Sequence, residues 1–250
     1  MLKCGGEVRN GENMEFRKVT DIVRMFSEEN VDPRALELAK LLGQEEKFRR
    51  LMAYYKCAIM EVETKFRVLN ESLSIRHERN PIESIKTRLK DPKSIIDKLY
   101  RKGVEADFSA IERYLEDIAG LRVICAFKED VYTISDYLLK QDDITLVEYT
   151  DYIRNPKPNG YRSLHVVVSI PIFLGEEKKM MKVEIQFRTM AMDFWASLEH
   201  KIRYKKDLEG CTKEIERELK ECAEASDKLD DKMQEIKEKI DMQSKGINNG

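Results

Sequence analysis

The chain has 250 residues and a formal net charge of −2, although 37 % of its residues are charged. A globally basic nucleic-acid binder is therefore excluded, and any anion-binding surface has to be local. Cys4, Cys57, Cys125, Cys211 and Cys222 are scattered, with no C-x-x-C pair and no histidine at ligand spacing, which excludes a disulfide framework and structural zinc and points to a reducing compartment.

In chain order, residues 1 to 32 are polar and weakly periodic, with one short helix expected from Thr20 to Glu29. The start has no apolar run of the signal-peptide kind and no stretch reaches ~18 uninterrupted apolar residues, so a soluble, cytoplasmic protein is expected. Asp32-Pro33 reads as an N-cap with proline at the first helical position, followed by Leu36, Leu38, Leu41 and Leu42 before Gly43 interrupts. From Phe48, apolar residues at Leu51, Met52, Tyr55, Ile59, Val62, Phe66, Leu69 and Leu73 predict a long amphipathic helix. Asn80-Pro81 ends it. A short strand is predicted over Ile82–Leu89, then a helix begun by Asp91-Pro92, carrying Ile95, Ile96 and Leu99, and stopped by Gly103.

Further strands are predicted at Leu121–Phe127, Thr145–Ile153, Ser163–Ile170 and Met180–Arg188, with a helix near Glu129–Lys140. The fold class is α+β, a mixed β-sheet of about five strands flanked by helices. Cys125 lies in an apolar run and reads as a buried reduced thiol. From Lys213 to Ile240 the residues Ile215, Leu219, Cys222, Ser226, Leu229, Met233, Ile236 and Ile240 recur at steps of four and three. That seam suits self-association or packing back on its own domain, and self-association is the expectation.

Chemistry concentrates in a few places. The run Tyr152-Ile153-Arg154-Asn155-Pro156-Lys157-Pro158-Asn159-Gly160-Tyr161-Arg162-Ser163-Leu164-His165 gathers charged, amide, phenol and imidazole groups around a Pro-x-Pro turn. The prolines stiffen it, Asn159-Gly160 permits φ > 0, and it reads as a nucleotide clamp feeding a strand. Between Lys86 and Lys102 seven basic residues face two acidic ones, the composition of a polyphosphate site. Arg88 and Lys90 share a strand face there, and Ser94, Lys98 and Arg101 a helix face. In Met181–Arg188 the residues Lys182, Glu184, Gln186 and Arg188 share one face, as in any half-exposed strand. Asp117 precedes a strand whose open face carries Arg122; it either stabilises a turn or joins Glu184 in a two-carboxylate site suited to Mg²⁺. Of the three histidines, His77 reads as solvated, His165 as a ligand contact, and His200 as packing a helix against the sheet.

Taken together, Arg88-Leu89-Lys90 with Ser94 and Lys98, Asp117–Arg122, the Arg154–His165 loop, Glu184–Thr189 and Trp195–His200 occur in one order and at close spacing that resembles the synthetase domain of the RelA/SpoT family. The likeness covers roughly Tyr54 to Lys205. It implies a nucleotidyltransferase-like fold, with residues 1–45 an N-terminal extension, 46–208 the synthetase domain and 209–250 a C-terminal oligomerisation helix. With no hydrolase domain before it and no regulatory region after it, the chain looks like a stand-alone small alarmone synthetase of the RelQ-like kind.

The implied activity is transfer of the β,γ-pyrophosphoryl group of ATP to the ribose 3′-hydroxyl of GDP or GTP, releasing AMP and making the alarmones of the stringent response. The resemblance implies ATP contacts at Arg88, Lys90, Ser94, Lys98, Arg101 and Arg122, and Mg²⁺ at Asp117 and Glu184, with Glu184 also activating the hydroxyl. It implies guanosine-nucleotide contacts at Arg67, Lys157, Asn159, Tyr161, His165 and Gln186, the Tyr161 ring stacking on the base. A homo-oligomer, a tetramer, is implied, with no membrane and no required nucleic acid. The sequence departs from the family where two basic residues a turn apart are usual: Glu63 and Arg67 stand there with Lys65 between them. Alternatives are a relative acting on adenine nucleotides or tRNA 3′ ends, and a non-catalytic nucleotide- or RNA-binding regulator.

Overall fold

The computed structural model describes residues 32–77, 79–204 and 213–247. The expected helix at Thr20–Glu29, Cys4 and Cys211 lie outside these residues, as does the side chain of His77. The strands are β1 (Ile82–Leu89), β2 (Ala119–Cys125), β3 (Thr145–Asp151), β4 (Leu164–Leu174) and β5 (Glu177–Thr189). The described helices are α1 (Pro33–Leu42), α2 (Glu45–His77), α3 (Pro92–Arg101), α4 (Phe108–Tyr114), α5 (Lys128–Leu139), α6 (Met190–Tyr204) and α7 (Lys213–Ile247).

The chain divides into two units. The first, residues 32–53 and 90–116 among those described, holds α1, the start of α2, α3 and α4. Three of its helices, α1, α3 and α4, begin on aspartate caps. Asp32 accepts from the Arg34 N–H at 3.0 Å, Asp91 from the Ser94 N–H at 2.9 Å, and Asp107 from the Ala110 N–H at 2.6 Å. Each cap satisfies a donor that the first helical turn leaves without a partner. Proline follows the first two caps. The apolar stripe of α3, Ile95, Ile96 and Leu99, is buried. Gly103, at φ 68°, takes the left-handed turn after the helix.

The second unit, residues 54–89 and from 117 onward, contains the sheet, in order β1-β2-β5-β4-β3. Strands β2 and β5 pair parallel and the other neighbours antiparallel, the mixed α+β sheet expected. The alternation in β2 and β5 sorts their residues cleanly. Leu121, Val123, Ile185 and Phe187 are buried on one face, where Phe66 of α2 meets Phe187 edge-on at 5.6 Å. On the other face Arg122, Glu184 and Gln186 are half-buried and Arg188 is buried.

Helix α7 folds back on its own unit through a face that shares Ser226 with the predicted seam and otherwise differs from it. Ala223 and Asp230 are buried, Ser226 Oγ donates to the Ala191 carbonyl at 3.1 Å, and Lys128 pairs with Asp227 and Asp231. Lys237 reaches Glu129. Leu229, Met233, Ile236 and Ile240 remain exposed. Polar contacts and one small residue set this orientation, because a close helix approach needs the small side chain more than the large apolar ones.

Asp230 is the strained member of that contact. Burial pushes its carboxyl up despite the Thr189 Oγ1 donor at 2.5 Å and nearby Lys128, and the charges of Asp227 and Asp231 add to the rise. A folded-state value above the unfolded one favours the protonated form, so its contribution to stability is present at low pH and lost as pH rises through the folded value. Asp230→Asn keeps an acceptor for Thr189 without the charge. It is expected to raise the thermal midpoint by a few degrees at neutral pH, with no gain in acid, as checked by calorimetry.

Candidate active site

Strand register builds the site. Lys86 lies opposite Arg122, Arg122 opposite Gln186, and Gln186 opposite His165. One rung over, Arg88 lies opposite Gly120, Gly120 opposite Glu184, and Glu184 opposite Val167. Because side chains alternate across a strand, the polar members of both rungs share the face turned away from Phe187. Gly120 leaves a slot between Arg88 and Glu184. A Cβ there would meet only the Arg88 carbonyl, at an ordinary 3.6 Å, so the backbone does not require glycine and the space over it stays open. Asp117 sits two residues before β2.

Hydrogen bonds tie the face together. The Glu184 carboxylate has Oε1 3.5 Å from His165 Nδ1, and its Oε2 accepts from Gln186 Nε2 at 3.2 Å. His165 Nε2 is 2.9 Å from the Tyr161 hydroxyl, which accepts from Arg188 Nη2 at 2.8 Å. An imidazole with its proton on Nδ1 satisfies every link of this chain. Arg188 Nη2 also donates to Gln186 Oε1 at 3.1 Å.

Asp193, in the first turn of α6 and 8 % exposed, collects three cations: Lys86 Nζ at 2.8 Å, Arg188 Nη1 at 3.1 Å and Arg122 Nη1 at 3.2 Å. Burial pushes the Asp193 carboxyl up, but Lys86, Arg122 and Arg188 pull it further down, below the usual aspartate value. Burial and the neighbouring Arg188 lower Arg122, Asp193 opposing them, yet a guanidinium stays charged throughout. For Glu184, burial acts upward, the His165 hydrogen bond and charge act downward, the Asp117 charge acts upward and the Gln186 amide downward. The net lies below the usual glutamate value, so the carboxylate is ionised at neutral pH.

The clamp loop is pinned at both ends. Asp151 Oδ1 accepts from the N–H groups of Ile153 at 2.9 Å and Arg154 at 3.0 Å. The Gly160 N–H reaches the Lys157 carbonyl at 2.8 Å, and Gly160 takes φ 89°, the turn that Asn159-Gly160 predicted. Asn159 Oδ1 accepts from the Tyr161 N–H at 3.2 Å while its Nδ2 donates to Glu199 Oε1 at 3.3 Å. Tyr152, Tyr161 and His165 meet edge to face with centroids 5.2–6.2 Å apart. The Lys157 ammonium lies 4.6 Å from the Tyr152 ring centre and 5.1 Å from that of Tyr161.

The structure thus brings together Arg88, Arg122, Glu184, Gln186, His165, Tyr161, Asn159 and Lys157 in the second unit, with Asp117 near enough for its charge to act on Glu184. Lys90, Ser94, Lys98 and Arg101 belong to the first unit. Ser94 Oγ there donates to Asp91 Oδ2 at 2.6 Å, and Arg101 Nε to the Asp97 carbonyl at 3.2 Å. Arg67 pairs with Glu63 one turn back on α2, at 2.6 Å, and Lys65 is taken by Asp143 at 2.7 Å. His200 is exposed, correcting the expectation that it packs α6 on the sheet; the buried Trp195 and Ala196 cluster with Ala223 of α7. The sequence puts Lys86 in the basic run, Arg188 on the polar face with Glu184 and Gln186, and Tyr152 in the clamp, without giving any of them a contact of its own. Asp193 and Glu199 received no site role, and nothing in the local sequence marks Asp193.

Asp193→Ala leaves Arg188, 5 % exposed at its side chain, beside Arg122 without the shared carboxylate. The loss expected in denaturant unfolding is about 2–3 kcal/mol, below the range for a fully buried pair because Lys86 and Arg122 reach solvent.

Residues 87–209 match the model of a region found in RelA / SpoT proteins. GTP pyrophosphokinase YwaC of Bacillus subtilis is 43% identical over 196 residues, which are 78% of this chain and 93% of that protein. The crystal structure of small alarmone synthetase 2 from Bacillus subtilis superposes with a TM-score of 0.69 at 42% identity, covering 77% of this chain and 98% of that one. That of small alarmone synthetase 1 from the same organism, bound to its product pppGpp, superposes with a TM-score of 0.70 at 34% identity, covering 78% and 98%.

Proposed function

The chain belongs to the RelA/SpoT family, and from that premise we propose that it is a small alarmone synthetase, a GTP pyrophosphokinase. It transfers the β,γ-pyrophosphoryl group of ATP to the ribose 3′-hydroxyl of GDP or GTP. The observation that carries this reading is Glu184: an ionised, half-buried carboxylate held by His165 and Gln186, one strand from Arg122 and beside the open slot over Gly120.

A ribose hydroxyl is a poor nucleophile near neutral pH, and a carboxylate within hydrogen-bond reach can take its proton. In the step proposed, the 3′-oxygen bonds to the β-phosphorus, the hydroxyl proton passes to Glu184, and the bond from the β-phosphorus to the oxygen bridging to the α-phosphate breaks, releasing AMP. Charge gathering on the transferred group faces Arg88 and Arg122, fixed donors on neighbouring strands. The base lies against Tyr161 and the clamp loop, taking over ring surface that Lys157 borders.

Magnesium fits the donor set. Asp117 and Glu184 repel one another, an arrangement that a divalent cation relieves. Among the described residues no three His, Cys, Asp or Glu side chains form a metal cluster. Mg²⁺ needs no such cage, because one or two carboxylates with substrate phosphates hold it. When bound it would supply charge neutralisation at the phosphates.

No described helix is long and apolar enough to cross a membrane; the cytoplasmic location proposed here rests on the reducing compartment expected from the scattered cysteines. We read the exposed seam of α7 as the contact face of a homo-oligomer, a tetramer. Leu229 and Met233 border a cavity of about 1000 Å³ that also includes Phe127, Met190 and Phe194, apolar surface of a kind that association buries. Leu229→Lys with Met233→Lys should lower the mass found by light scattering; an unchanged mass removes this face from the assembly.

Purified protein with Mg²⁺ and labelled ATP is expected to label GDP or GTP. Product from adenine nucleotides or tRNA and none from guanosine acceptors would overturn the reading. Glu184→Gln should cut turnover by about 10²–10⁴-fold with nucleotide binding kept. In the parent protein the acid limb of the rate profile should lie below the ordinary glutamate value of 4.5, since activity needs the ionised form and falls as pH drops through the lowered folded value.

A further inference from the structure

We infer that α7 is a working part of the acceptor site, with Ala223 and Asp227 as positioning residues that fix the clamp loop; this rests on the acceptor role given above to Tyr161 and its neighbours. The loop backbone lies directly on the helix. A Cβ at Gly160 would come within 2.6 Å of the Ala223 Cβ and 3.6 Å of Lys220 Cγ, so the approach depends on two small residues facing each other. Tyr161 packs on the buried cluster of Trp195, Ala196 and Ala223. Beneath it Trp195 Nε1 donates to the Leu219 carbonyl at 2.9 Å, locking α6 to α7.

One guanidinium completes the attachment. Arg162 holds Asp227 Oδ2 with Nη2 at 3.0 Å and donates from Nη1 to the Ile153 carbonyl at 3.1 Å. It therefore bridges the first turn of the loop to the helix, with both side chains no more than 20% exposed. The void enclosed by Gly160, Arg162, Trp195, Ala223 and Asp227 is about 10 Å³, less than a larger side chain at position 223 would need. Tyr161 carries the loop's position onward, since its hydroxyl joins His165 and Arg188 and His165 faces Glu184. A displacement of α7 thus moves the stacking ring and the group that orients the general base.

The test uses full-length Asp227→Asn, Asp227→Glu and Ala223→Leu, with Lys128→Met as the control that removes the other cation on Asp227. Asp227→Asn and Ala223→Leu are each expected to raise the KM for the guanosine acceptor about tenfold, the scale of one charge-assisted hydrogen bond, with the KM for ATP unchanged. Asp227→Glu should recover most of the loss, and Lys128→Met should leave the acceptor KM as it was.

Hydrogen exchange supplies a readout free of turnover. The Lys157 and Gly160 amides, bonded to the Tyr161 and Lys157 carbonyls, should exchange faster in Asp227→Asn and Ala223→Leu. Unchanged acceptor KM and unchanged exchange would overturn the inference. So would an equal rise in both KM values, or a Lys128→Met defect as large as that of Asp227→Asn. If the parent protein makes no product from guanosine acceptors, the enzymatic reading fails by itself, and the exchange measurement still decides whether α7 holds the loop.

Discussion

Three cations share one buried carboxylate in the second unit. Lys86, Arg122 and Arg188 come from three strands and would repel one another if Asp193 did not stand between them. The arrangement neutralises only part of their charge. What remains is a fixed positive surface on the same face as Glu184, assembled before any substrate arrives, which is what a polyanionic ligand needs in order to bind without reorganising the protein. Arg188 also links this cluster to the Glu184–His165–Tyr161 chain through Tyr161 and Gln186. Charge placement and proton placement are therefore one network. Moving either end alters the other.

The sheet supplies the rigidity. Parallel pairing of β2 with β5 puts Gly120 beside Glu184 and Arg122 beside Gln186, and no loop has to be ordered to bring these groups together. Buried residues on the opposite face, Phe187 against Phe66 among them, prevent a slip in register, because a one-residue shift would turn Glu184 into the core. Selection for a packed core and selection for site geometry act here on the same strands.

Much of this was legible in the sequence. Alternation placed Glu184 and Gln186 on one face, aspartate-proline pairs marked the starts of α1 and α3, and the turn at Asn159-Gly160 has the left-handed backbone expected of it. What could not be read are contacts between segments far apart in the chain. Asp193 meets Lys86 across 107 positions and Arg122 across 71, and no local pattern encodes either distance. Helix α4, seven residues long, is too short for periodicity to declare it, although Asp107 caps it. The composition of the clamp run assigns its charged groups to a ligand, whereas Arg162 turns inward to Asp227. On α7 the apolar residues of the seam point to the outer face, while the contacts that seat the helix come from Ser226 within the seam and from Ala223 and Asp230 beside it.

The sequence separation between the clamp loop and its support has a bearing on biosynthesis. Residues 152–163 leave the ribosome well before residues 219–227, which form the surface they rest on. A nascent chain lacking the last helix therefore exposes the underside of Tyr161 and leaves Arg162 unpaired from Asp227. Competence to take up the acceptor is postponed until residues 219–227 have been made, a form of timing written into chain order.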